Sequence, residues 1–489
     1  MKKLFQIPKW LFIVLICILI LRIPTFFEPY SYGDETIYLT LGEGMRHGLT
    51  LYKDIHDNKP PLLYATAALA GSLFWFKAIL CFWMLGTTVL FWKLTEQLFP
   101  KKKNLQCIAT IVFAILTTLP LLEGRTANAE LFMLGPTIGA FLLLLTKPHT
   151  TRIIFLAGIL FSVATLFKVP AAFDIPAIVF LWFISMKYTK KNFVEFVRKT
   201  VILTIGFALP IVLTFIWYYF RGAFHEYLVA AWLQNFGYLS SFRPGDVKEP
   251  FLVKNGPLLM RGGVVALGLG ILFLLRNKLS KQFIFVTAWL LFGLFAVTLS
   301  ERPYPHYLVQ SVPPVAILLG MLFTLQTLEQ SLVIIPLSLF FFVPVYFRFW
   351  YYPTLPYYTH FVQFATGQLN REEYLKTFGD GVPDTYAISE FVASSTKPDD
   401  PVFVWGSDSS NVYALSRRLP PIKYVATYHI NDFSSHEEVI QELKNKPPEL
   451  VVVLSESDQF PELQLLLQDK YGLAETISGT TIWKYLSHQ

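Results

Sequence analysis

What most constrains this chain is a recurrence of apolar blocks of roughly 18–22 residues, the length a helix needs to cross ~30 Å of hydrocarbon. The first block, WLFIVLICILILRIPTFF from Trp10, carries a single charge, Arg22. In hydrocarbon only helices and closed barrels satisfy their own backbone groups. These blocks are continuous rather than alternating, so they read as helices. Composition agrees: 54% of the 489 residues are hydrophobic and 15% charged, with a mean hydropathy of +0.47. A soluble chain of this length would be less apolar and more charged. The fold class expected is therefore a polytopic α-helical membrane protein of about eleven transmembrane helices.

Spans are expected near 10–28, 76–94, 105–122, 131–146, 153–168, on to 186, then 200–219, 258–275, 282–299, 307–325 and 332–350. The first span ends in LRIPTFFEPY without a small-residue cleavage site, so it reads as retained rather than as a signal peptide. Lys2, Lys3 and Lys9 precede it, and Lys101–Lys103, Lys147, Arg152, Lys187, Lys190, Lys191, Arg198, Lys199, Arg276, Lys278 and Lys281 fall in alternate loops. By the positive-inside rule those loops and the N-terminus face the cytoplasm of a plasma or inner membrane. The net charge of +7 then reflects these loops and anionic headgroups. No basic–aromatic patch suggests nucleic acid. Cys17, Cys81 and Cys107 lie in or beside apolar blocks and read as packing residues.

The opposite face receives the acids. Its first loop, within 31–75, reads SYGDETIYLTLGEGMRHGLTLYKDIHDNKPPLLY, with Asp34, Glu35, Asp54, Asp57 and Lys59. A short helix is expected over Glu35–His47, stopped by Gly48, and a second over Leu62–Leu73 after Pro60 and Pro61. Both would lie in the membrane interface. Later loops on this face hold Glu123, Arg125 and Glu130, then Lys168, then Arg221 to Lys248 with Arg243 and Asp246, then Arg302 and His306 in SERPYPHY. Beyond a linker at 351–369, strand-like runs (Pro401–Trp405, Ile422–Val425, Leu450–Leu454) alternate with helical ones over 370–489. That pattern predicts a small extracytoplasmic α/β domain, without a glycine-rich phosphate loop.

Carboxylates at a membrane boundary are expensive unless they face water or a cation. Their gathering on one face predicts a polar cavity. Sugar transfer from a lipid phosphate would use such a cavity. The leaving phosphate needs cations or a metal ion, and the acceptor hydroxyl needs a carboxylate base. Asp34 and Glu35 are candidate catalytic bases or ligands of a divalent ion such as Mg or Mn. Lys59, Arg125, Lys168, Arg302 and His306 are candidate phosphate partners, and cations alone would make a metal unnecessary. Donors carried on a lipid would also account for the missing nucleotide motif.

The combination of GDExxY after span one, DxKPPLLY ending the same loop, ANAELF in the second outer loop and RxxxHY before a late span resembles the GT-C membrane glycosyltransferases. More narrowly it is similar to glycosyltransferase family 39, with protein O-mannosyltransferases and the lipid A aminoarabinose transferase. The resemblance covers residues 1–350 as a GT-C-like catalytic domain, and VFVWGSDSSNVYALSRRLPP is similar to the outer α/β domain of bacterial members. It implies Asp34 as the catalytic aspartate with Glu35 beside it. It implies Lys59, in the KPP corner that leads to Tyr64, at the lipid phosphate, with Asp57 supporting. It implies Glu130, with Glu123 near it, as the second-loop acid, and His306, followed by Tyr307, near the donor phosphate. Family members take dolichyl- or polyprenyl-phosphate sugars and generally invert the anomeric centre. The partners implied are a polyprenyl-phosphate-linked sugar, membrane lipids and an extracytoplasmic acceptor, whether lipid, glycan or protein. The chain departs from the family pattern in lacking the large inserts of eukaryotic mannosyltransferases.

Plainer readings stand beside these. Asp34 would serve as a helix N-cap, Glu35 as a solvated helix residue, Lys59 as a snorkelling interfacial lysine and Glu130 as a first-turn acid. His47 and His56 lack metal spacing and read as structural. The alternative function is a transporter or flippase of lipid-linked sugars. Transporters place ionisable residues at mid-membrane and show inverted repeats. Here the acids sit in loops and no repeat is visible, which favours the enzyme.

Overall fold

The computed structural model describes residues 7–235, 250–300 and 302–486. Lys2, Lys3, Arg243, Asp246 and Lys248 lie outside the described residues. Among the described residues, eight helices are long and apolar enough to cross a membrane by length and composition. They are Lys9–Phe27, Leu73–Leu98, Ala129–Thr146, Lys190–Phe220, Asn255–Leu274, Lys281–Thr298, Pro305–Thr324 and Leu328–Tyr346. The shorter apolar helices Lys103–Leu116, Thr151–Phe167 and Val169–Ser185 occupy the remaining expected positions.

The chain divides into two compact units. The first comprises Met1–Ile23, Ala78–Trp217 and Trp232–Thr354, and holds most of the apolar helices. Its packing is graded. In Lys281–Thr298, 78% of the apolar window is buried, against 11% in Lys190–Phe220 and in Asn255–Leu274. A helix apolar all round and buried all round is a core element. Trp289 sits at that centre, 4.7 Å from the Phe141 ring and fully enclosed. The less buried helices show Val201, Ile205, Leu213, Leu267 and Leu274 outward. Such surfaces are stable only against lipid or another apolar partner.

The second unit comprises Pro24–Lys77, Tyr218–Ala231 and Leu355–Gln489, so the first loop belongs to the same compact unit as the C-terminal region. The expected linker is largely helical, Thr354–Ala365. The loop folds as expected into two helices, Gly33–Arg46 and Leu62–Ala70, the first followed by Gly48 in the left-handed region (φ 88°). They pack backbone to backbone at Gly42. A Cβ there would lie 2.6 Å from Ala68 N and 2.8 Å from Ala67 C.

The C-terminal region forms a four-stranded sheet of β1 (Val402–Trp405), β2 (Leu450–Val453), β3 (Tyr471–Ile477) and β4 (Thr480–Tyr485), in the order β1-β2-β4-β3. β1 and β2 are parallel, with Val402 opposite Leu450, and the other pairs are antiparallel. Two expectations change here. Ile422–Val425 is not a strand of this sheet: Tyr424 makes a single bridge with His56 of the first loop, whose N–H donates to Lys423 O at 2.8 Å. The β3–β4 hairpin was not anticipated. Its turn is Ser478–Gly479, both with positive φ (47° and 82°), the backbone of a tight primed hairpin turn that glycine eases.

Because Gly42 meets backbone and not a flexible side chain, the two loop helices cannot accommodate even a methyl group without separating. Gly42→Ala is expected to destabilise the protein by about 1–3 kcal/mol, the usual scale of overpacking. Thermal unfolding in detergent would show it, and an unchanged melting temperature would contradict the close packing.

Candidate functional site

The helix Gly33–Arg46 starts one residue before Asp34, so Asp34 and Glu35 both lie in its first turn, where the macrodipole favours carboxylates. Asp34 is not the cap: that position is Tyr32, without a side-chain capping bond. Neighbouring residues on a helix point about 100° apart, so the two carboxylates diverge.

The Asp34 side chain stays 28% exposed and lies 4.0 Å from Lys59 Nζ. Its Oδ2 accepts a hydrogen bond from the Tyr38 hydroxyl, one turn on, at 2.9 Å. Lys59 Nζ lies equally 4.0 Å from Asp57 Oδ2 and 4.9 Å from the centre of the Tyr38 ring. The lysine is held at its backbone. Its N–H donates to the Tyr64 hydroxyl at 3.2 Å, and its carbonyl accepts from the Tyr52 hydroxyl at 2.8 Å. Burial pushes the Tyr52 and Tyr64 phenols well above their ordinary range, so both keep their protons. Asp57 is 2% exposed. Burial alone would raise its carboxyl. The Lys59 charge, His429, Tyr64 and the Asn58 N–H together outweigh this and hold Asp57 below the ordinary value.

Glu35 turns the other way, into a buried triad. Lys77 Nζ lies 2.7 Å from Glu35 Oε1 and 2.8 Å from Glu28 Oε2, and the Tyr357 hydroxyl donates to Glu28 Oε1 at 2.5 Å. A divalent ion shared by Asp34 and Glu35 does not fit this geometry, since one carboxylate faces Lys59 and the other Lys77. Among the described residues no group of three or more His, Cys, Asp or Glu side chains could hold a metal ion.

The second unit also brings in residues that sequence reasoning missed. His429, on the helix Thr427–Phe433, places Nε2 3.5 Å from Asp57 Oδ1. His56 packs edge-on against Tyr424, His429 and Phe433. Burial first, then the neighbouring His429, lowers His56 to about 4. No local signal marks His429, some 370 residues along the chain from the loop it meets. Glu28 and Lys77 had a signal: they are the charges at the two ends of the first loop.

The first unit assembles a separate cluster. Glu123 takes a left-handed backbone (φ 57°) and its Oε2 lies 2.7 Å from His306 Nδ1. Asn128 Nδ2 donates to the same oxygen at 3.1 Å. His306 Nε2 lies 3.5 Å from Glu130 Oε1, which also pairs with Lys168. Lys168 Nζ lies 3.8 Å from the centre of the Tyr307 ring. Arg125 stands 5.5 Å over the Tyr352 ring, and Arg302 is exposed. So Glu123, Glu130, Lys168, His306 and Tyr307 come together, while Arg125 makes an aromatic contact. Lys168 and His306 each already face a carboxylate, for which an incoming phosphate would have to compete.

Two predictions follow from these burials. Lys77→Met would leave Glu28 and Glu35 buried without their cation. A loss of about 3–5 kcal/mol in unfolding stability is expected, the usual cost of breaking a buried pair, and a variant as stable as the parent would contradict the triad. The second concerns acid. His56 stays neutral in the fold down to about pH 4, whereas in the unfolded chain it takes up a proton near its ordinary value of 6.5. Between those values the unfolded state binds more protons, so stability falls as pH falls, by roughly 3 kcal/mol in all from this group. His429, lowered by burial, and Asp57 act in the same direction. Unfolding followed from pH 7 to 4 should therefore show less acid sensitivity in His56→Phe, and an identical pH slope would contradict the assignment.

No protein-family model matches the sequence, and no curated protein matches it closely. Solved structures do. Over 98% of this chain and 98% of the other, it superposes on ArnT from Cupriavidus metallidurans bound to undecaprenyl phosphate, with a TM-score of 0.57 at 13% identity. The apo state of that protein gives a TM-score of 0.56 at the same identity and coverage. Across nearly its whole length, then, the chain is a polytopic helical membrane protein with the fold of ArnT, the GT-C arrangement that its loop motifs resemble.

Proposed function

We propose that this protein is a membrane glycosyltransferase that moves a sugar from a polyprenyl-phosphate donor to an acceptor outside the cytoplasm, with Asp34 as the base. The observation that carries the reading is a contrast within the first loop. Asp34 is 28% exposed and faces a lysine, whereas Asp57 and Glu35 are each 2% exposed and enclosed. A base must reach the acceptor hydroxyl, and of these three only Asp34 is open to do so. In the proposed step the acceptor oxygen attacks the anomeric carbon and gives its proton to the Asp34 carboxylate. The bond from that carbon to the phosphate oxygen breaks, and polyprenyl phosphate leaves. One in-line displacement of this kind inverts the anomeric centre.

Lys59 would meet the lipid phosphate as its charge develops. Within the first unit, taken by itself, Lys168, His306, Arg125 and Arg302 are further candidate phosphate partners, with Glu123 and Glu130 orienting Lys168 and His306. The ArnT structure of the same fold has undecaprenyl phosphate bound, which supports a lipid phosphate as donor. The lysine-rich loops support a cytoplasmic N-terminus and an extracytoplasmic C-terminal region in an inner or plasma membrane.

Removing the base while keeping its shape tests the reading. Asp34→Asn in purified protein, given radiolabelled polyprenyl-phosphate sugars and envelope extract as acceptor, should lose about 100-fold or more in turnover, the low end of general-base effects. Wild-type turnover in this variant would remove Asp34 from the role. Label that crosses a bilayer while staying on its lipid would point to transport instead.

A further inference from the structure

The C-terminal α/β region is more than an appendage to the first loop. Thr36, in the first turn after Asp34, hydrogen-bonds Asn411 Oδ1 at 2.8 Å and lies 3.0 Å from Ser410 Oγ. His56 is joined to Lys423 and Tyr424 by its backbone. Beside the second of these attachments lies His429, its ring edge-on to His56. It is 2% exposed, with its ring among Tyr428, Phe433 and His56. An imidazole in such a place is costly unless its polar atoms have work, because an apolar side chain would fill the space without desolvation.

The nitrogens differ. Nδ1 is buried without a hydrogen-bond partner among the described residues. Nε2 faces Asp57 Oδ1 at 3.5 Å. A neutral imidazole carries one proton, and a buried nitrogen with no acceptor is the worse place for it. The proton therefore belongs on Nε2, directed at Asp57. The other carboxylate oxygen of Asp57 faces Lys59 at 4.0 Å.

Resting on the donor reading above, we propose that His429 is a positioning residue of the first-loop site: its Nε2–H orients Asp57, and Asp57 in turn holds Lys59 where it meets the donor phosphate. The arrangement runs from the helix Thr427–Phe433 through Asp57 and Lys59 to Asp34, all within one compact unit. It makes the C-terminal region part of the donor site, through a side chain that touches no reacting atom.

The test compares two variants of similar shape that differ in the donor group. Full-length His429→Gln keeps an N–H to offer Asp57, whereas His429→Met does not. Undecaprenyl phosphate is titrated onto each in detergent by native mass spectrometry, with melting temperature read in parallel. His429→Met should bind about 10-fold more weakly, as expected when an outer partner of a binding group is lost, at a melting temperature close to that of His429→Gln. His429→Gln should stay within about 3-fold of wild type. In an Asp57→Asn background, His429→Met should cost little more, because coupled residues do not add. Wild-type affinity in His429→Met, equal losses in the Met and Gln variants, or losses that multiply in the double variant would each overturn the proposal. If His429→Met does not fold, His429→Phe takes its place in the same comparison. Failure of the wild type itself to bind undecaprenyl phosphate would overturn the donor reading and this inference with it, whereas normal binding by every variant overturns the inference alone.

Discussion

The first-loop site depends on one cation placed between two carboxylates. Asp57 is 2% exposed, a burial at which an ionised carboxylate persists only beside a positive charge. Lys59 supplies it from 4.0 Å, a gross attraction on the order of 4 kcal/mol at the effective dielectric of a partly buried pair. The same ammonium lies 4.0 Å from Asp34. Everything around the lysine serves its placement. Pro60 and Pro61 fix the chain beyond it, and two buried tyrosines hold its N–H and carbonyl. Remove the lysine and Asp57 loses its counter-charge while Asp34 loses its neighbour.

The other acids show what structural pairing looks like in this molecule. Glu35 and Glu28 close around Lys77, which is 1% exposed, and nothing in that triad is open to a substrate. In the first unit Glu123 and Glu130 are matched by His306 and Lys168 at short range. Asp34 differs in keeping an open flank. The distinction between a carboxylate that stabilises the fold and one available for proton transfer rests here on exposure, since Asp34 and Glu35 are both carboxylates and are adjacent in sequence.

Much of this was legible in the sequence, and what was not has a physical cause. The apolar blocks announce helices because a bilayer admits little else. Gly48 and the double proline announce the two loop helices because few residues tolerate those backbone angles. Asp34, Lys59 and Asp57 are close in sequence and meet across one corner. The partition of Asp34 from Glu35 was not legible: it follows from helical geometry together with Lys77, a residue at the start of the next long helix. His429 was not legible either, because long-range contact leaves no periodicity. The run Ile422–Val425 has the composition of a strand but makes only a single bridge, to His56, and β-propensity cannot tell these apart. The Ser478–Gly479 turn was a local signal available for reading, and it marks the hairpin that completes the sheet.

In the proposed reaction Lys59, Asp34 and Asp57 form the binding and acid–base centre for a polyprenyl-phosphate donor. The lipid that stays with the protein through purification is the decisive observation. Native mass spectrometry of the full-length protein, released from mild detergent, should show a retained polyprenyl phosphate or its glycosylated form, and Lys59→Ala should lose it while keeping bulk phospholipid. A protein that retains phospholipid but no polyprenyl species, or one whose polyprenyl lipid is retained unchanged in Lys59→Ala, would contradict it.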